Sequence, residues 1–205
     1  MPITTILFDI GNVLTHDGYE SYLVDPIDGL ALPLHLPAAD VIALTNDLFE
    51  TYGIIPRADE AVFWQQVSDR IGIPLSPERI AATRLAVTRV NPEAIEVFEL
   101  LQEKGIHIGI ISNNIEFQYA HQLAALAFED YADKDLVFLS HTAGVTKASG
   151  LFERAAGVVD PADTYVIDDR AANISYARKL GFHTSLYSLS SGQSLMKLVQ
   201  EIIKL

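Results

Sequence analysis

The chain has 205 residues, and 49% of them are hydrophobic, which is enough for a continuous core and argues against a disordered protein. Its 27 acidic and 14 basic residues give a formal net charge of −13. Nucleic acids and anionic lipids carry charge of the same sign, so we expect neither as a partner.

The sequence contains no cysteine, so disulfide bonds and thiolate metal sites are excluded. The segment that starts at Met1 lacks the basic stretch of a signal peptide. No apolar run approaches the roughly 18 residues that a membrane-spanning helix needs. We therefore expect a cytoplasmic protein with no membrane partner.

Five short apolar runs predict β-strands. They are apolar on both faces, which is typical of parallel strands that are covered by helices on each side. The predicted strands are residues 5–8, 106–111, 136–139, 164–167 and 183–187.

Helical patterns fill the gaps between these runs. The segment 91–104 begins with Asn91 and Pro92 and ends before Gly105, which are signals for the start and end of a helix. Further helices are predicted over 171–180 and 194–204. Strands that alternate with helices predict an α/β fold with a doubly wound parallel sheet, a Rossmann-like core.

One interval breaks this alternation, because residues 16–90 show helical patterns near 38–52, 59–71 and 77–90 but no strand. We predict a small helical cap domain over 16–90, inserted into an α/β core domain that is made of 1–15 and 91–205. Such a cap would cover the carboxyl edge of the sheet, where ligands bind in these folds. A helical satellite with no role at the site is the alternative.

Polar residues follow four of the predicted strands. They are Asp9, Ser112, Lys147, and the pair Asp168 and Asp169. The carboxyl ends of parallel strands meet at one edge, so these side chains should converge there. Carboxylates, a hydroxyl and an ammonium group together predict a site for a metal ion and an anion, and Mg²⁺ suits carboxylate ligands best.

The same residues lie in segments that resemble the four motifs of the haloacid dehalogenase-like superfamily, in the correct order. The Gly-Asn-Val form of the first motif and the Ser-Asn pair resemble those of sugar-phosphate phosphatases with a helical cap. The segments are Phe8-Asp9-Ile10-Gly11-Asn12-Val13-Leu14, Ile110-Ile111-Ser112-Asn113-Asn114, residues 140–147 up to Lys147, and Val166-Ile167-Asp168-Asp169-Arg170 followed by Asn173 and Ala177.

This resemblance implies a magnesium-dependent phosphatase in which Asp9 attacks phosphorus and forms an aspartyl phosphate. Asp9, Asp169 and the backbone carbonyl of Gly11 would bind Mg²⁺, and Asp168 would act behind them or through water. Ser112, Asn113 and Lys147 would bind the phosphate group. A closing cap favours a small phosphorylated metabolite as the substrate.

The sequence departs from the motif at Gly11, where relatives usually carry a second aspartate that acts as general acid and base. A glycine cannot transfer protons, and general acid–base catalysis is typically worth about 10²–10⁴-fold in rate. His16 or Asp17 is a candidate replacement.

Three other functions stay open. A catalytically impaired binding or regulatory protein is suggested by Gly11 alone. A 2-haloacid dehalogenase would use Asp9 against carbon, but such enzymes usually carry an aromatic residue at the position of Gly11 and lack the Asp168-Asp169 pair. A mutase would use the same phosphorylated intermediate. The oligomeric state is not predicted.

Overall fold

A sheet of five parallel strands forms the centre of the molecule, in the order β3-β2-β1-β4-β5. The computed structural model describes residues 2–16 and 18–204, with Tyr19 described by its backbone alone. The strands are β1 Thr5–Phe8, β2 His107–Ser112, β3 Val137–Leu139, β4 Thr164–Asp168 and β5 His183–Leu186. This arrangement confirms the predicted α/β fold with a parallel sheet.

Ten α-helices surround or extend this sheet in the described part of the chain. They are α1 Tyr19–Val24, α2 Ala38–Tyr52, α3 Glu60–Ile71, α4 Pro77–Val87, α5 Ala94–Glu103, α6 Glu116–Leu126, α7 Ser140–Ala143, α8 Leu151–Ala156, α9 Ala171–Lys179 and α10 Leu195–Ile202.

Successive residues of the central strand pack on opposite faces of the sheet, as strand geometry requires. Ile6 and Phe8 lie in a fully buried cluster with residues of α5 and α10. Leu7 points to the other face and packs with residues of α8 and α9. Both faces of β1 are therefore buried from solvent, which explains why its sequence is continuously apolar.

The start of α5 differs from the prediction. The helix begins at Ala94, and the Asn91 Nδ2 atom donates to the Val13 carbonyl at 2.9 Å and to the Tyr187 hydroxyl at 3.1 Å. Asn91 also accepts a hydrogen bond from the Glu93 N–H group, which forms a turn before the helix. Its role is to join the loop after β1 to the segment after β5.

Helices α1 to α4 form an insert between β1 and α5, which we call the helical insert. The structure has the predicted α2, α3 and α4, and α1 is an addition. The insert has its own apolar cluster, in which Phe63 and Trp64 are buried. It also contacts the core above the carboxyl edge of the sheet, where Ser140 Oγ donates to the Gly53 carbonyl at 2.5 Å and the Arg57 N–H group donates to Glu116.

Candidate active site

Asp9 is the first residue after β1 and sits at the centre of the carboxyl edge. The register places Phe8 between Ile110 of β2 and Ile167 of β4, so the neighbouring strands flank the aspartate on both sides. Its Oδ1 atom accepts hydrogen bonds from Ser112 Oγ at 2.9 Å and from the Ile10 N–H group at 2.8 Å. With 8% of its surface exposed, Asp9 is held in one orientation and still reaches solvent.

Lys147 joins two aspartates at this edge. Its ammonium nitrogen lies 2.8 Å from Asp9 Oδ2 and 2.6 Å from Asp168 Oδ2, and the lysine is 1% exposed. The Lys147 N–H group donates to Asn113 Oδ1 at 2.8 Å, so the segment after β2 fixes the lysine backbone. A buried charge is stable only when it is paired, and Lys147 is paired twice.

The electrostatics of the site raise the pKa values of Asp9, Asp169 and Lys147, which favours the protonated form of each. Burial raises the pKa of Asp9 to about 6, although the nearby Lys147 acts in the opposite direction. Burial also raises the pKa of Asp169. Burial alone lowers the pKa of Lys147, but attraction to Asp168 and Asp9 outweighs it and the pKa is raised. An additional cation at the site would relieve the excess negative charge.

The two neighbouring aspartates after β4 differ in their contacts. Asp168 is fully buried, and its oxygens are held by Lys147, by the Asn173 side chain at 2.9 and 3.1 Å, and by the Arg170 N–H group at 2.8 Å. Asn173 thus braces this loop. Asp169 is half-buried and accepts a hydrogen bond from Asn12 at 3.0 Å. Asp169 is therefore the freer carboxylate.

Oxygen atoms of Asp9, Asp168 and Asp169 lie within 4.8 Å of one another. A set of oxygen ligands with net negative charge fits a hard divalent cation such as Mg²⁺. Because Asp168 is fully buried while Asp9 and Asp169 line the site cavity, Asp9 and Asp169 are the carboxylates best able to take a ligand role.

Asn12 contacts the candidate site in a way that the sequence did not reveal. It adopts a left-handed conformation with φ of 55°, which asparagine tolerates better than most residues. Its Nδ2 atom donates both to Asp169 Oδ2 and to Ser188 Oγ, and its Oδ1 atom accepts from the Ser190 N–H group. Asn12 therefore ties Asp169 to the loop after β5.

A cavity of about 360 Å³ opens above these residues, between the sheet edge and the helical insert. The predicted site residues Asp9, Gly11, Ser112, Asn113, Lys147 and Asp169 all line it, whereas Asp168 lies behind Lys147. From the insert, Glu20 and Phe49 line the opposite side. Glu20 also pairs with Arg170 at 2.9 Å, which links α1 to the loop after β4.

Of the two residues proposed to replace the missing acid, the structure locates one. His16 lines the cavity, while Asp17 lies outside the described residues. Glu20 is a further titratable group at the cavity that sequence reasoning missed. Glu20 does not follow a strand directly and no motif contains it. It reaches the cavity only because the helical insert packs against the edge of the sheet.

Comparison with known proteins identifies the family of the chain. The family model of haloacid dehalogenase-like hydrolases matches residues 3–181. The chain belongs to this family. A search of curated protein sequences found no match. No described helix of this haloacid dehalogenase-like hydrolase has both the length and the apolar character that a membrane crossing requires.

Solved structures share the fold of this haloacid dehalogenase-like hydrolase. A predicted HAD-like family hydrolase from Porphyromonas gingivalis has 22% sequence identity and a TM-score of 0.75 over 100% of both chains. A HAD family enzyme from Bacteroides thetaiotaomicron, in complex with magnesium and inorganic phosphate, has 19% identity and a TM-score of 0.75 over 96% of this chain and 98% of that one. An L-2-haloacid dehalogenase has 17% identity and a TM-score of 0.65, with 98% and 99% coverage.

Proposed function

We propose that this hydrolase is a magnesium-dependent phosphatase that acts on small phosphorylated metabolites, such as sugar phosphates, through an aspartyl phosphate on Asp9. One observation carries this proposal. Three carboxylates converge within 4.8 Å, two of them line a cavity, and a buried lysine contacts Asp9 and Asp168. Such a cluster suits a metal ion and a phosphate dianion. A dehalogenase attacks the uncharged carbon that bears the halogen, and this reaction needs no metal ion.

In the first step, a carboxylate oxygen of Asp9 attacks phosphorus, and the bond between phosphorus and the leaving oxygen breaks. The contacts from Ser112 and the Ile10 N–H group orient the carboxylate for this attack. Lys147 offsets the charge of Asp9, which would otherwise repel the dianion. Ser112, Asn113 and Lys147 line the cavity, and in this proposal they bind the phosphate oxygens.

The metal ligands in this proposal are Asp9, Asp169 and the backbone carbonyl of Gly11, with Asp168 behind them. When bound, Mg²⁺ supplies positive charge beside the carboxylates and the phosphate. Asp168 keeps Lys147 in place, and Asn12 orients Asp169.

In the second step, water attacks the aspartyl phosphate, which restores Asp9 and releases inorganic phosphate. Gly11 offers no proton donor or acceptor in its side chain, so both steps lack the usual acid and base at this position.

We further propose that residues 16–90 act as a cap domain and that 1–15 with 91–205 form the core domain. Contacts of Gly53, Arg57 and Glu20 with the core support a cap that covers the site.

The proposal is tested by a screen of phosphorylated metabolites and p-nitrophenyl phosphate, with Mg²⁺ and with EDTA, beside a set of 2-haloacids. Phosphate release that requires Mg²⁺ and is lost in Asp9→Asn supports the phosphatase. Halide release without Mg²⁺ would instead show a dehalogenase. Binding of phosphate esters without turnover by the native chain would indicate the binding or regulatory alternative.

A further inference from the structure

A loop rich in serine follows β5 and lies against the loop after β1. It covers residues 188–193, and we call it the serine loop. The Leu189 N–H group donates to the Asn12 carbonyl at 2.8 Å, and the Ser190 N–H group donates to Asn12 Oδ1 at 3.0 Å. Ser188 Oγ accepts a hydrogen bond from Asn12 Nδ2 at 3.1 Å. The serine loop therefore holds both the backbone and the side chain of Asn12.

The Ser190 N–H group decides which end of the Asn12 amide faces Asp169. A backbone N–H group can only donate, so it requires the amide oxygen of Asn12. The Nδ2 atom then faces Asp169 Oδ2, at 3.0 Å, and Ser188 Oγ. If the amide were turned round, its nitrogen would meet the N–H donor and its oxygen would meet the Asp169 carboxylate. The serine loop thus fixes Asn12 as a donor towards Asp169.

Asp169 depends on this single donor. Within the part of the chain that the structure describes, Asn12 Nδ2 is the one group that donates a hydrogen bond to the Asp169 carboxylate. The bond goes to Oδ2, so Oδ1 is the oxygen without a described protein donor. One fixed oxygen and one available oxygen are what a carboxylate needs to bind a cation in a defined direction.

The serine loop is itself held in shape. Ser191 Oγ donates to the Ser188 carbonyl at 2.6 Å, and the hydroxyl oxygens of Ser188 and Ser190 are 2.9 Å apart. The buried Tyr187 donates its hydroxyl to the Gln193 carbonyl at 3.2 Å, which ties the two ends of the loop together. Although Ser190 and Ser191 are exposed, the loop can therefore present its N–H groups in fixed positions.

We infer that the serine loop sets the affinity of the site for its divalent cation, through the Ser190 N–H group and the Ser188 hydroxyl oxygen. Both are positioning residues, because they act on Asp169 through Asn12. The loop lies after residue 181, where the family match ends, so this role belongs to the individual chain. The inference rests on the proposed function, since it takes Asp169 as a metal ligand.

The test measures the binding of Mn²⁺, which accepts the same oxygen ligands as Mg²⁺ and is detected by electron paramagnetic resonance without any substrate. Ser190→Pro removes the N–H group, and the matched control Ser190→Ala removes only the hydroxyl. Ser188→Ala removes the acceptor for Asn12 Nδ2, and Ser188→Thr restores a hydroxyl. Asp169→Asn shows whether the bound Mn²⁺ lies at this site.

We expect Ser190→Pro to weaken Mn²⁺ binding by about tenfold or more and Ser188→Ala by about threefold or more, since partners of metal ligands are typically worth about 10–100-fold in affinity. Ser190→Ala and Ser188→Thr should stay within about twofold of the native protein. A loop with a structural role alone would instead lower the Tm in EDTA and leave the Mn²⁺ affinity unchanged. If Ser190→Pro does not fold by circular dichroism, Ser188→Ala and Ser188→Thr decide the question.

Mn²⁺ affinities within about twofold of the native value in the folded Ser190→Pro and Ser188→Ala variants would overturn the inference. An equal loss in Ser190→Ala and Ser190→Pro would also overturn it, because the hydroxyl would then be the group that acts. If Asp169→Asn binds Mn²⁺ as tightly as the native protein, Asp169 is not a ligand and the inference is wrong.

Hydrolysis of p-nitrophenyl phosphate with Mg²⁺, measured in parallel, reports on the proposed function. Hydrolysis that requires Mg²⁺, with no effect of the serine loop on Mn²⁺ affinity, removes only the inference. Mn²⁺ binding that depends on the loop, without hydrolysis of any phosphate ester, keeps the inference and removes the phosphatase. Absence of both metal binding and hydrolysis in the native protein removes both.

Discussion

Lys147 Nζ lies 2.8 Å from Asp9 Oδ2, so a buried ammonium group neutralises the proposed nucleophile before any substrate arrives. The same nitrogen holds Asp168, which fixes the lysine between two carboxylates. In the proposed function, this arrangement would let a carboxylate and a phosphate dianion approach each other.

The nucleophile is tested by Asp9→Asn, which keeps the shape of the side chain and removes its nucleophilic charge. We expect kcat to fall by a factor on the order of 10³ or more, while the circular dichroism spectrum stays native. The matched control is Asp130→Asn, the same change at an exposed position. Residual kcat within about tenfold of the native value would show that Asp9 is not the nucleophile.

Metal dependence should differ between the two neighbouring aspartates. EDTA should abolish phosphatase activity, and Mg²⁺ should restore it. Asp169→Asn should raise the Mg²⁺ concentration for half-maximal activity far more than Asp168→Asn does, because Asp168 is already held by Lys147, Asn173 and the Arg170 N–H group. Equal shifts in the two variants would contradict this division.

Asn12→Gly tests the contact that orients Asp169. Glycine accepts the positive φ at this position but cannot donate to Asp169 or Ser188. We expect about a 10-fold rise or more in the Mg²⁺ requirement, with kcat at saturating Mg²⁺ within a few-fold of the native value. An unchanged Mg²⁺ requirement would mean that Asp169 does not depend on Asn12.

The absence of an acid at Gly11 should make the rate depend strongly on the leaving group. Aryl and anomeric sugar phosphates should react much faster than phosphates of primary alcohols, since charge accumulates on the departing oxygen. Good substrates should show a burst before a slow steady state, and Gly11→Asp should weaken both effects.

Equal rates for aryl and primary alkyl phosphates, with chemistry limiting, would mean that another group supplies the proton. His16→Ala, Asp17→Ala and Glu20→Gln are then the variants to measure. His16 and Glu20 line the cavity, and Asp17 keeps its place as a sequence-based candidate. If none of the three variants changes the rate, both the explanation based on Gly11 and the three proposed replacements are wrong.

The stability of the metal-free protein should depend on Asp9 in a way that its pKa predicts. The pKa rises from 3.8 to about 6 on folding, so the folded state holds the proton more tightly than the unfolded one. This stabilisation is complete below about pH 4 and is lost as the pH rises through 6. Asparagine does not titrate, so the Tm of Asp9→Asn minus that of the native protein should increase by about 2 °C or more from pH 4 to pH 7 in EDTA. If this difference in Tm stays constant or decreases as the pH rises, the pKa of Asp9 is not raised in the folded protein.

Much of the core could be predicted from sequence, because strands buried on both faces have a local signature. The apolar runs located all five strands, and chain order with parallel pairing was enough to bring Asp9, Ser112, Lys147 and Asp168 to one edge. The start of α5 was predicted too early, since the hydrogen bond from the Glu93 N–H group to Asn91 Oδ1 forms a turn before the helix. Helix α6 was not located from the sequence, although Gln118 and Gln122 have the four-residue spacing of one helix face.

By itself, the sequence determined the five strands, the family motifs and the residue types that meet at the sheet edge, because each depends on neighbours along the chain. Only the tertiary structure decided how those residues divide their contacts. It holds Asp168 with Lys147 while Asp169 is reached by Asn12, and it brings Glu20 of the insert to Arg170. Each of these pairs joins distant parts of the chain, and its geometry follows from how the layers pack, which no local pattern records.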